Sequence, residues 1–395
     1  MSDNSIQRRT FFGQMAAAGT LGSVAAAGLT GAARAAETPK KWLPISDRKV
    51  RVGIVGHGYC KFGASFGFQD HPNVEVVAVS DLIPERRDGL MKACRCEKSY
   101  PSLEELVKDE SIEAVFTATD APSHARHSTL VLEHGKHAAS AVPATLGSIE
   151  DGERLLEAVQ TTGKKYMMFE TSCFRADCYA MRTAYQAGAF GKLLFSEGEY
   201  HHYHASKEPT PSYKGWRRGL PPMWYPTHAS AYYVNVTGQR LTHVSCIGTG
   251  GHLPYHHPDA NPYQNPFATE TGLFETSEGA ASRISVSWSM KSIYGESGRV
   301  FGQSGCMSGT EYRGLAKNLP DLSRPPLPPG VPAGGHGGSH GLVMQEFVTA
   351  IIQDRDPLMD VYESLAMTLP GIVAHQSALR DGERLAVPVY RKKSG

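Results

Sequence analysis

The segment Tyr225-Pro226-Thr227-His228 places a tyrosine and a histidine close together. An imidazole changes its charge near neutral pH, which makes histidine the side chain best suited to general acid/base catalysis. A tyrosine hydroxyl can donate to a substrate oxygen or orient it, although tyrosines also pack in cores. We predict that His228 is the catalytic acid/base and that Tyr225, placed one helical turn earlier, assists it.

A second group of candidate residues lies between Glu197 and His204, where three histidines occur within four residues. Side chains alternate along a strand, so His202 and His204 share one face and His201 lies on the other. Hydrogen bonding to a polar substrate is favoured, a solvated surface is the main alternative, and metal binding would need a further ligand, so no metal is predicted. Trp224 either stacks on a sugar or packs in the core. The predicted substrate residues are His201, His202, His204 and Trp224.

Two glycine-rich segments are candidates for close approach of the backbone to a ligand. The turn Gly56-His57-Gly58-Tyr59 follows an apolar stretch, and Asp81 ends the next one. This spacing is typical of a dinucleotide site, in which the acid binds the adenosine ribose and disfavours a 2′-phosphate. Lys61 replaces the third glycine of the usual pattern, but the flanking strands still predict NAD. The loop 334–340 either approaches a ligand or is a flexible connection.

Predicted strands and helices alternate through the first half of the chain. Strands at 114–119 and 165–169 flank a helix that ends at His134 and another at 149–162. This alternation predicts an α/β fold with a parallel doubly wound sheet, whose ligand lies at the carboxyl ends of the strands. The predicted cofactor-binding residues are Gly56, His57, Gly58, Tyr59, Asp81, Thr119, His124, Ala141 and Pro143.

Three features resemble the family of glucose-fructose oxidoreductase and inositol dehydrogenase. They are a strand ending in Ala118-Thr119, the turn Pro122-Ser123-His124, and Gly135-Lys136-His137 before a strand that leads to Pro143. The resemblance implies a Rossmann domain at residues 49–172. It also implies an α+β domain at residues 173–395, with an open, largely antiparallel sheet that binds substrate and supports a dimer or tetramer. The implied activity is NAD-dependent oxidation of a sugar or sugar derivative.

Two catalytic positions of that family carry other residues here, Val142 in place of a lysine and Trp224 in place of an aspartate. The segments at 142–144 and 225–228 are instead similar to the branch that contains the NAD-dependent family 109 glycoside hydrolases. That resemblance implies an alternative function, glycoside cleavage by oxidation at C3, loss of the C2 proton, elimination, water addition and re-reduction. A catalytically inactive sugar-binding homologue is the third interpretation.

The N-terminus contains Arg8-Arg9 followed by an alanine- and glycine-rich run and a small-residue cleavage site near Ala35. This pattern is typical of a twin-arginine signal, which we assign to residues 1–36, followed by a linker at 37–48. We therefore expect export of the folded protein to the periplasm or beyond. Export after folding implies that NAD is loaded in the cytoplasm and held tightly.

Composition excludes several classes of protein. The 395 residues are 41% hydrophobic and 20% charged, which is ordinary for a folded protein and long enough for two domains. A net charge of +1 gives no reason to expect nucleic acid or an anionic membrane as a partner. Seven scattered cysteines do not form a disulfide framework. The expected partners are a small carbohydrate and further copies of the chain.

Overall fold

The computed structural model describes residues 41–392. The predicted signal peptide (1–36) and the first residues of the predicted linker (37–48) lie outside the described residues. In the part of the chain that is described, no helix is both long enough and apolar enough to cross a membrane.

The first sheet consists of six parallel strands. They are β1 (Val50–Val55), β2 (Val74–Ser80), β3 (Ser99–Tyr100), β4 (Ala114–Thr117), β5 (His137–Ser140) and β6 (Tyr166–Met168). Their order in the sheet is β3-β2-β1-β4-β5-β6. Most side chains of β1, β4, β5 and β6 are buried, as expected for strands of a parallel sheet. The helices of this half are α1 (Phe62–Ser65), α2 (Pro84–Cys94), α3 (Leu103–Leu106), α4 (His124–Glu133) and α5 (Ile149–Thr162).

The order of the strands reverses between β1 and β4, which are neighbours although β2 and β3 separate them in sequence. The connections after β1 and β4 therefore lead away from each other and leave a crevice at the carboxyl ends. Gly56 directly follows β1 with a φ of 92°, and a Cβ there would lie 2.5 Å from the carbonyl oxygen of Ala118. Only glycine fits at this point, so the glycine turn lines the crevice.

The second sheet is mixed and largely antiparallel. Its strands are β7 (Leu193–His201), β8 (Leu241–Thr249), β9 (Thr269–Thr276), β10 (Ala281–Ser287), β11 (Glu296–Gly302), β12 (Gly305–Ser308), β13 (Glu311–Gly314) and β14 (Leu385–Ala386). The order is β13-β12-β11-β7-β10-β9-β8-β14, and β7 pairs in parallel with β10. The helices of this half are α6 (Ala176–Gln186), α7 (Thr227–Thr237), α8 (Gly335–Gly338), α9 (His340–Ile352) and α10 (Val361–Ala378).

Helix α7 packs across β7 and brings its first turn to the end of that strand. Gly198 permits this approach, because a Cβ there would collide with the carbonyl oxygen of Ala229. The helix begins at Thr227, so Tyr225 precedes it. The expectation that Tyr225 lies one helical turn before His228 is therefore wrong, because Pro226 separates the two segments.

The two sheets confirm the predicted fold class, a Rossmann-type parallel sheet followed by an α+β half with a largely antiparallel sheet. The described residues, 41–392, lie within one compact unit. The predicted boundary at 172–173 falls within the short turn Thr171–Phe174 between the sheets, and it stays a prediction.

Candidate functional site

A cavity of about 280 Å³ lies at the carboxyl ends of the first sheet. It is lined by the turn from Gly56 to Cys60, by Asp81 after β2, and by Thr119 after β4. Residues between 211 and 217, from the second half of the chain, complete the lining. Doubly wound sheets bind their ligands at this position.

Asp81 is fixed at the cavity by two backbone hydrogen bonds. Its Oδ2 accepts from the backbone N–H of His57 at 2.8 Å, and its Oδ1 accepts from that of Ile83 at 2.9 Å. Each carboxylate oxygen keeps a further lone pair for a ligand. A buried, oriented carboxylate with free acceptor capacity suits the paired hydroxyls of a ribose.

Two other polar atoms at the cavity have no hydrogen-bond partner among the described residues, the hydroxyl of Ser80 and Nδ1 of His57. A buried polar atom without a partner costs about 1–3 kcal/mol. A polar ligand in the cavity would relieve that cost. Together with the glycine turn and Asp81, these atoms fit a dinucleotide.

Of the remaining predicted cofactor residues, Thr119 is among those that line the cavity, whereas His124, Ala141 and Pro143 are not. The hydroxyl of Thr119 lies 2.9 Å from Nδ1 of His127. The ring of His124 is buried between two backbone carbonyl oxygens, that of Pro143 at 2.9 Å and that of Thr119 at 3.3 Å. His124 thus connects the segments that follow β4 and β5. Ala141 and Pro143 are buried, and a cofactor contact by His124, Ala141 or Pro143 stays a prediction.

His228 is held by a buried carboxylate. Its Nδ1 lies 2.7 Å from Oε1 of Glu170, and the two side chains are 3% and 0% exposed. No described residue forms a hydrogen bond with Nε2 of this ring, which leaves that atom for a ligand. A carboxylate on one imidazole nitrogen fixes the tautomer and orients the other nitrogen for proton transfer.

Ser172 and Glu296 extend this pair. The hydroxyl of Ser172 lies 3.2 Å from Nδ1 of His228 and donates to Oε1 of Glu296 at 2.5 Å. Nε of Arg175 lies 3.3 Å from the same oxygen of Glu296. His228 therefore contacts one carboxylate directly, and a second lies behind the hydroxyl of Ser172.

These charges set the protonation of the cluster. Burial on its own lowers the pKa of His228, but the charge and hydrogen bond of Glu170, with the charge of Glu296, raise it above the ordinary 6.5. Burial raises the pKa of Glu170, and the contact with His228 more than offsets this and lowers it. Burial raises the pKa of Glu296, only partly opposed by His228 and Arg175. The arrangement stabilises an imidazolium next to the Glu170 carboxylate.

A pair of histidines connects this cluster to the cavity. The ring of His336 stacks on that of His228 with centroids 5.8 Å apart, and its Nδ1 lies 2.8 Å from Nε2 of His340. Nδ1 of His340 lies 3.2 Å from the carbonyl oxygen of Ser65 in α1. Phe62, which lines the cavity, has its ring 6.0 Å from that of His336.

The backbone of the segment 335–338, which contains His336, has an unusual conformation. His336 has a φ of 51°, in the left-handed region that side chains other than glycine rarely adopt. Arg324 donates to the carbonyl oxygens of Gly337 and Gly338 and so holds the turn. Burial and the charge of His228 lower the pKa of His336 to about 3. Strained residues of this kind cluster at functional sites, and the loop is a positioned part of the site.

Two tyrosines face His228. The ring centroids of Tyr200 and Tyr225 lie 4.6 Å and 5.7 Å from that of His228. Burial raises the pKa of Tyr225 to about 12, so its hydroxyl remains a proton donor at neutral pH. Arg217 and Cys60, which both line the cavity, act electrostatically on that hydroxyl. Tyr225 is therefore close to His228 and to the cavity.

The three predicted substrate histidines lie on two sides of the second sheet. His201 ends β7, and its Nε2 lies 3.1 Å from the hydroxyl of Ser285 on the neighbouring strand. The charge of Glu199 acts on it from the same face. His202 and His204 follow the strand on the other side, as the alternation of side chains predicts.

His202 and His204 lie near Arg217, whose charge acts on both. His202 also lies within electrostatic reach of His228. The ring of His204 stacks on Trp288 with centroids 5.4 Å apart. His202 and His204 thus lie on the same side as Arg217 and His228. A role in substrate binding stays a prediction for His201, His202 and His204.

Trp224 packs between the loop after β5 and helix α10. A Cβ at Gly147 would lie 2.6 Å from its ring, so the indole lies directly against that backbone. Its centroid is 5.3 Å from that of Tyr263 and 5.5 Å from that of His375. These contacts account for a tryptophan here, and its predicted role in substrate binding is open to test.

Sequence reasoning missed Glu170, Ser172, Glu296 and Arg217. Glu170 follows the last strand of the parallel sheet. Because the carboxyl ends of such strands form the ligand site, an acidic residue at this position could have been recognised from the sequence. Ser172 and Glu296 had no local signal, because they meet only in the folded chain. Within residues 41–392, no group of three or more His, Cys, Asp or Glu side chains is arranged to hold a metal ion. All seven cysteines are free.

Comparison with known families defines the class of protein. Residues 50–170 match the family model described as an oxidoreductase family with an NAD-binding Rossmann fold. The sequence features pointed to this family, Gfo/Idh/MocA, and the match confirms the resemblance over this part of the chain.

A narrower likeness comes from individual relatives. The chain is 33% identical over 164 residues to a glycosyl hydrolase family 109 protein of Porphyromonas gingivalis, covering 39% of this chain and 34% of that protein. A glycosyl hydrolase family 109 protein of Shewanella pealeana is 25% identical over 396 residues, covering 87% of this chain and 86% of the relative. The chain thus matches about a third of the length of the first of these relatives and most of the second.

Solved structures share the fold. The WlbA dehydrogenase from Bordetella pertussis in complex with NADH and UDP-GlcNAcA has a TM-score of 0.69 at 20% identity, covering 88% of this chain and 100% of that one. The scyllo-inositol dehydrogenase from Lactobacillus casei has a TM-score of 0.68 at 16% identity, covering 87% and 99%. At these identities the likeness concerns the fold alone.

Proposed function

We propose that this protein is an NAD-dependent oxidoreductase that acts on a hydroxyl group of a sugar or sugar derivative. The observation that carries the proposal is the Glu170–His228 pair, whose second imidazole nitrogen has no partner among the described residues. Tyr225 and His336 connect this pair to residues that line a cavity that fits a dinucleotide. Gly56 to Tyr59 and Asp81 would hold NAD, which supplies the hydride acceptor when bound.

The side chains of the cluster take defined roles in this reaction. Glu170 binds Nδ1 of His228, so that Nε2 is the nitrogen that takes the proton of the substrate hydroxyl. The protonated ring is then stabilised by the Glu170 carboxylate, and Tyr225 donates a hydrogen bond that orients the substrate oxygen. Val142 and Trp224, at the positions where the family has a lysine and an aspartate, offer no group that accepts a proton.

The second candidate is glycoside cleavage that begins with the same oxidation. It is favoured by the two relatives described as glycosyl hydrolase family 109 proteins, one of which aligns over most of this chain. In this reaction His228 would perform the same first proton transfer. The two candidates therefore share the site and differ in the product that leaves it.

Anaerobic incubation of the purified protein with a panel of sugars and glycosides tests the proposal. NADH absorbance and released sugar are followed together. Stable NADH with no released aglycone identifies an oxidoreductase, and a released aglycone with only transient NADH identifies the glycosidase. A protein that binds sugar and gives neither signal over the whole panel would contradict both and favour a binding protein.

We also propose that the protein is exported after it has folded, on the strength of Arg8-Arg9 and the small-residue cleavage site near Ala35. Arg8→Lys combined with Arg9→Lys should keep the protein in the cytoplasm, as measured by cell fractionation. Unchanged export of this variant would contradict the proposal. Export after folding also implies that NAD is bound before export and held tightly. Mass spectrometry of the denatured protein should then detect the nucleotide.

A homo-oligomer is proposed from the second sheet. Ile247 and Leu273 are 70% and 56% exposed on strands β8 and β9, which leaves apolar surface uncovered in one chain. Light scattering of the purified protein should give the mass of a dimer or tetramer. A monomer at micromolar concentration would contradict this part of the proposal.

A further inference from the structure

Arg217 is a cation at the cavity that no described carboxylate neutralises. Its side chain lines the cavity and is only partly exposed. Within residues 41–392, no hydrogen bond or ion pair joins its guanidinium to an aspartate or glutamate. Its side chain shares a hydrogen bond with the hydroxyl of Tyr225. By contrast, Arg175 pairs with the carboxylate of Glu296. Arg182 donates to Asn235, and Arg324 donates to backbone carbonyl oxygens.

The structure holds Arg217 in a fixed position. Its guanidinium lies 4.2 Å from the centroid of the Trp216 ring, and its backbone N–H donates to the hydroxyl of Ser212 at 3.1 Å. Stacking on an aromatic face leaves the edge of the guanidinium, which carries its donors, available to a ligand. The group is thus oriented before any ligand arrives.

The four aromatic side chains of the second half on which the charge of Arg217 acts are themselves neutral. This charge acts on Tyr225 and Tyr200, whose hydroxyls remain protonated because burial raises their pKa values. It also acts on His202 and His204, and burial lowers the pKa of both imidazoles, that of His204 to about 4. Arg217 therefore brings a positive charge to a group of neutral aromatic side chains. An anionic ligand group would neutralise the positive charge of Arg217.

We propose that Arg217 binds an anionic group of the substrate, and that the preferred substrate is therefore a sugar acid rather than a neutral sugar. This inference rests on the proposed function and names the substrate class. A guanidinium and a carboxylate form two parallel, charge-assisted hydrogen bonds, which gives orientation as well as affinity.

The location favours the substrate over the phosphates of the cofactor. Arg217 acts on Tyr225, which contacts the ring of His228, so it lies at the reacting end of the site. Asp81, which lines the same cavity, is the residue predicted to bind the adenosine ribose. Of the histidines on which Arg217 acts, His202 and His204 belong to the second half of the chain and His124 belongs to the Rossmann half.

Calorimetry on the NAD-loaded protein tests the inference with glucuronate against glucose and galacturonate against galactose. These pairs differ only at C6. Wild type should bind the acid of at least one pair about 10- to 100-fold more tightly than the neutral sugar. Arg217→Gln should remove that preference, and Arg217→Lys should restore part of it. Arg218→Gln is the matched control, because Arg218 is exposed and donates only to the carbonyl oxygen of Ala260.

Bound nucleotide is measured in the same preparations. If Arg217→Gln loses NAD while the acid preference of the remaining holoenzyme is unchanged, Arg217 serves the cofactor phosphates and the inference is overturned. It is equally overturned if wild type binds acid and neutral sugars alike. Acid binding that depends on Arg217, without NADH or hydrolysis from any sugar, would support the inference and defeat the proposed function. If NADH forms from neutral hexoses and no preference for acids is found, the proposed function is supported and the inference about Arg217 is overturned.

Discussion

Two buried histidines of this chain bind a glutamate through the same pair of atoms. Nδ1 lies 2.7 Å from the carboxylate Oε1 both in His228–Glu170 and in His375–Glu270. Both glutamates are 0% exposed, and the histidines are almost completely buried. The pairs differ in what surrounds them.

His228 faces Tyr200, Tyr225 and His336, and the last two lead to residues that line the cavity. His375 is packed against the rings of Trp224 and Phe267 instead. The second oxygen of Glu270 accepts the backbone N–H of Met223 at 2.8 Å, which fixes the segment before Trp224. A glutamate–histidine pair is therefore not in itself a catalytic site. What distinguishes the two pairs is the set of neighbouring rings, which connects His228, and not His375, to residues that line the cavity.

The largest contrast is expected from removing each imidazole. His228→Ala should lower turnover by about 10²- to 10⁴-fold, the usual contribution of one acid/base group, with NAD still bound. His375→Ala is the matched change in the other pair and should leave turnover per folded molecule near wild type. Steady-state kinetics corrected for nucleotide content measure both. A His228→Ala enzyme with more than about half the wild-type rate would show that another group takes the proton.

The Glu270–His375 pair should contribute to stability and not to turnover. Glu270→Ala removes the acceptor for Met223 and the partner of His375, and each buried group left unpaired costs about 1–3 kcal/mol. The free energy of unfolding, measured by denaturant titration, should fall accordingly while turnover of the folded fraction persists. Loss of turnover as large as in His228→Ala, with unchanged stability, would place the second pair in the active site.

A smaller effect is expected at the hydroxyl next to the first pair. Tyr225→Phe removes one hydrogen bond to the substrate oxygen and should lower kcat by about 2- to 10-fold. Because His228 is retained, the loss should be smaller than that of His228→Ala. A kcat equal to wild type would mean that Tyr225 only packs against the imidazole.

The sequence predicted the parallel half well, because its elements follow local patterns. The predicted helix 149–162 is observed as Ile149–Thr162, starting at the capping Ser148 and ending before Gly163. The strand predicted at 114–119 ends earlier, at Thr117. The last two residues belong to the cavity edge instead. Strand and turn signals therefore located the cavity at the carboxyl ends of the parallel strands.

The cluster around His228 was predicted only in part, and its catalytic role stays a prediction. His228 was recognised from its residue type and its likeness to a family motif, whereas Glu170 and Glu296 meet it from segments more than 50 residues away. Such contacts depend on how the two sheets are placed, and no local pattern encodes them. Likewise, Glu270 and His375 gave no signal as a pair, although their geometry equals that of the first.

The pH dependence of hydride transfer tests most directly that His228 is the base and that Glu170 sets its pKa. His228 must be neutral to accept a proton, so the rate should rise with pH and reach half its maximum above pH 6.5, since the pKa is raised. Glu170→Gln removes the charge that raises this pKa, so the midpoint should move to lower pH. Single-turnover NADH formation across pH gives both midpoints, with Glu270→Gln as the control expected to match wild type. Identical midpoints in wild type and Glu170→Gln would contradict the account.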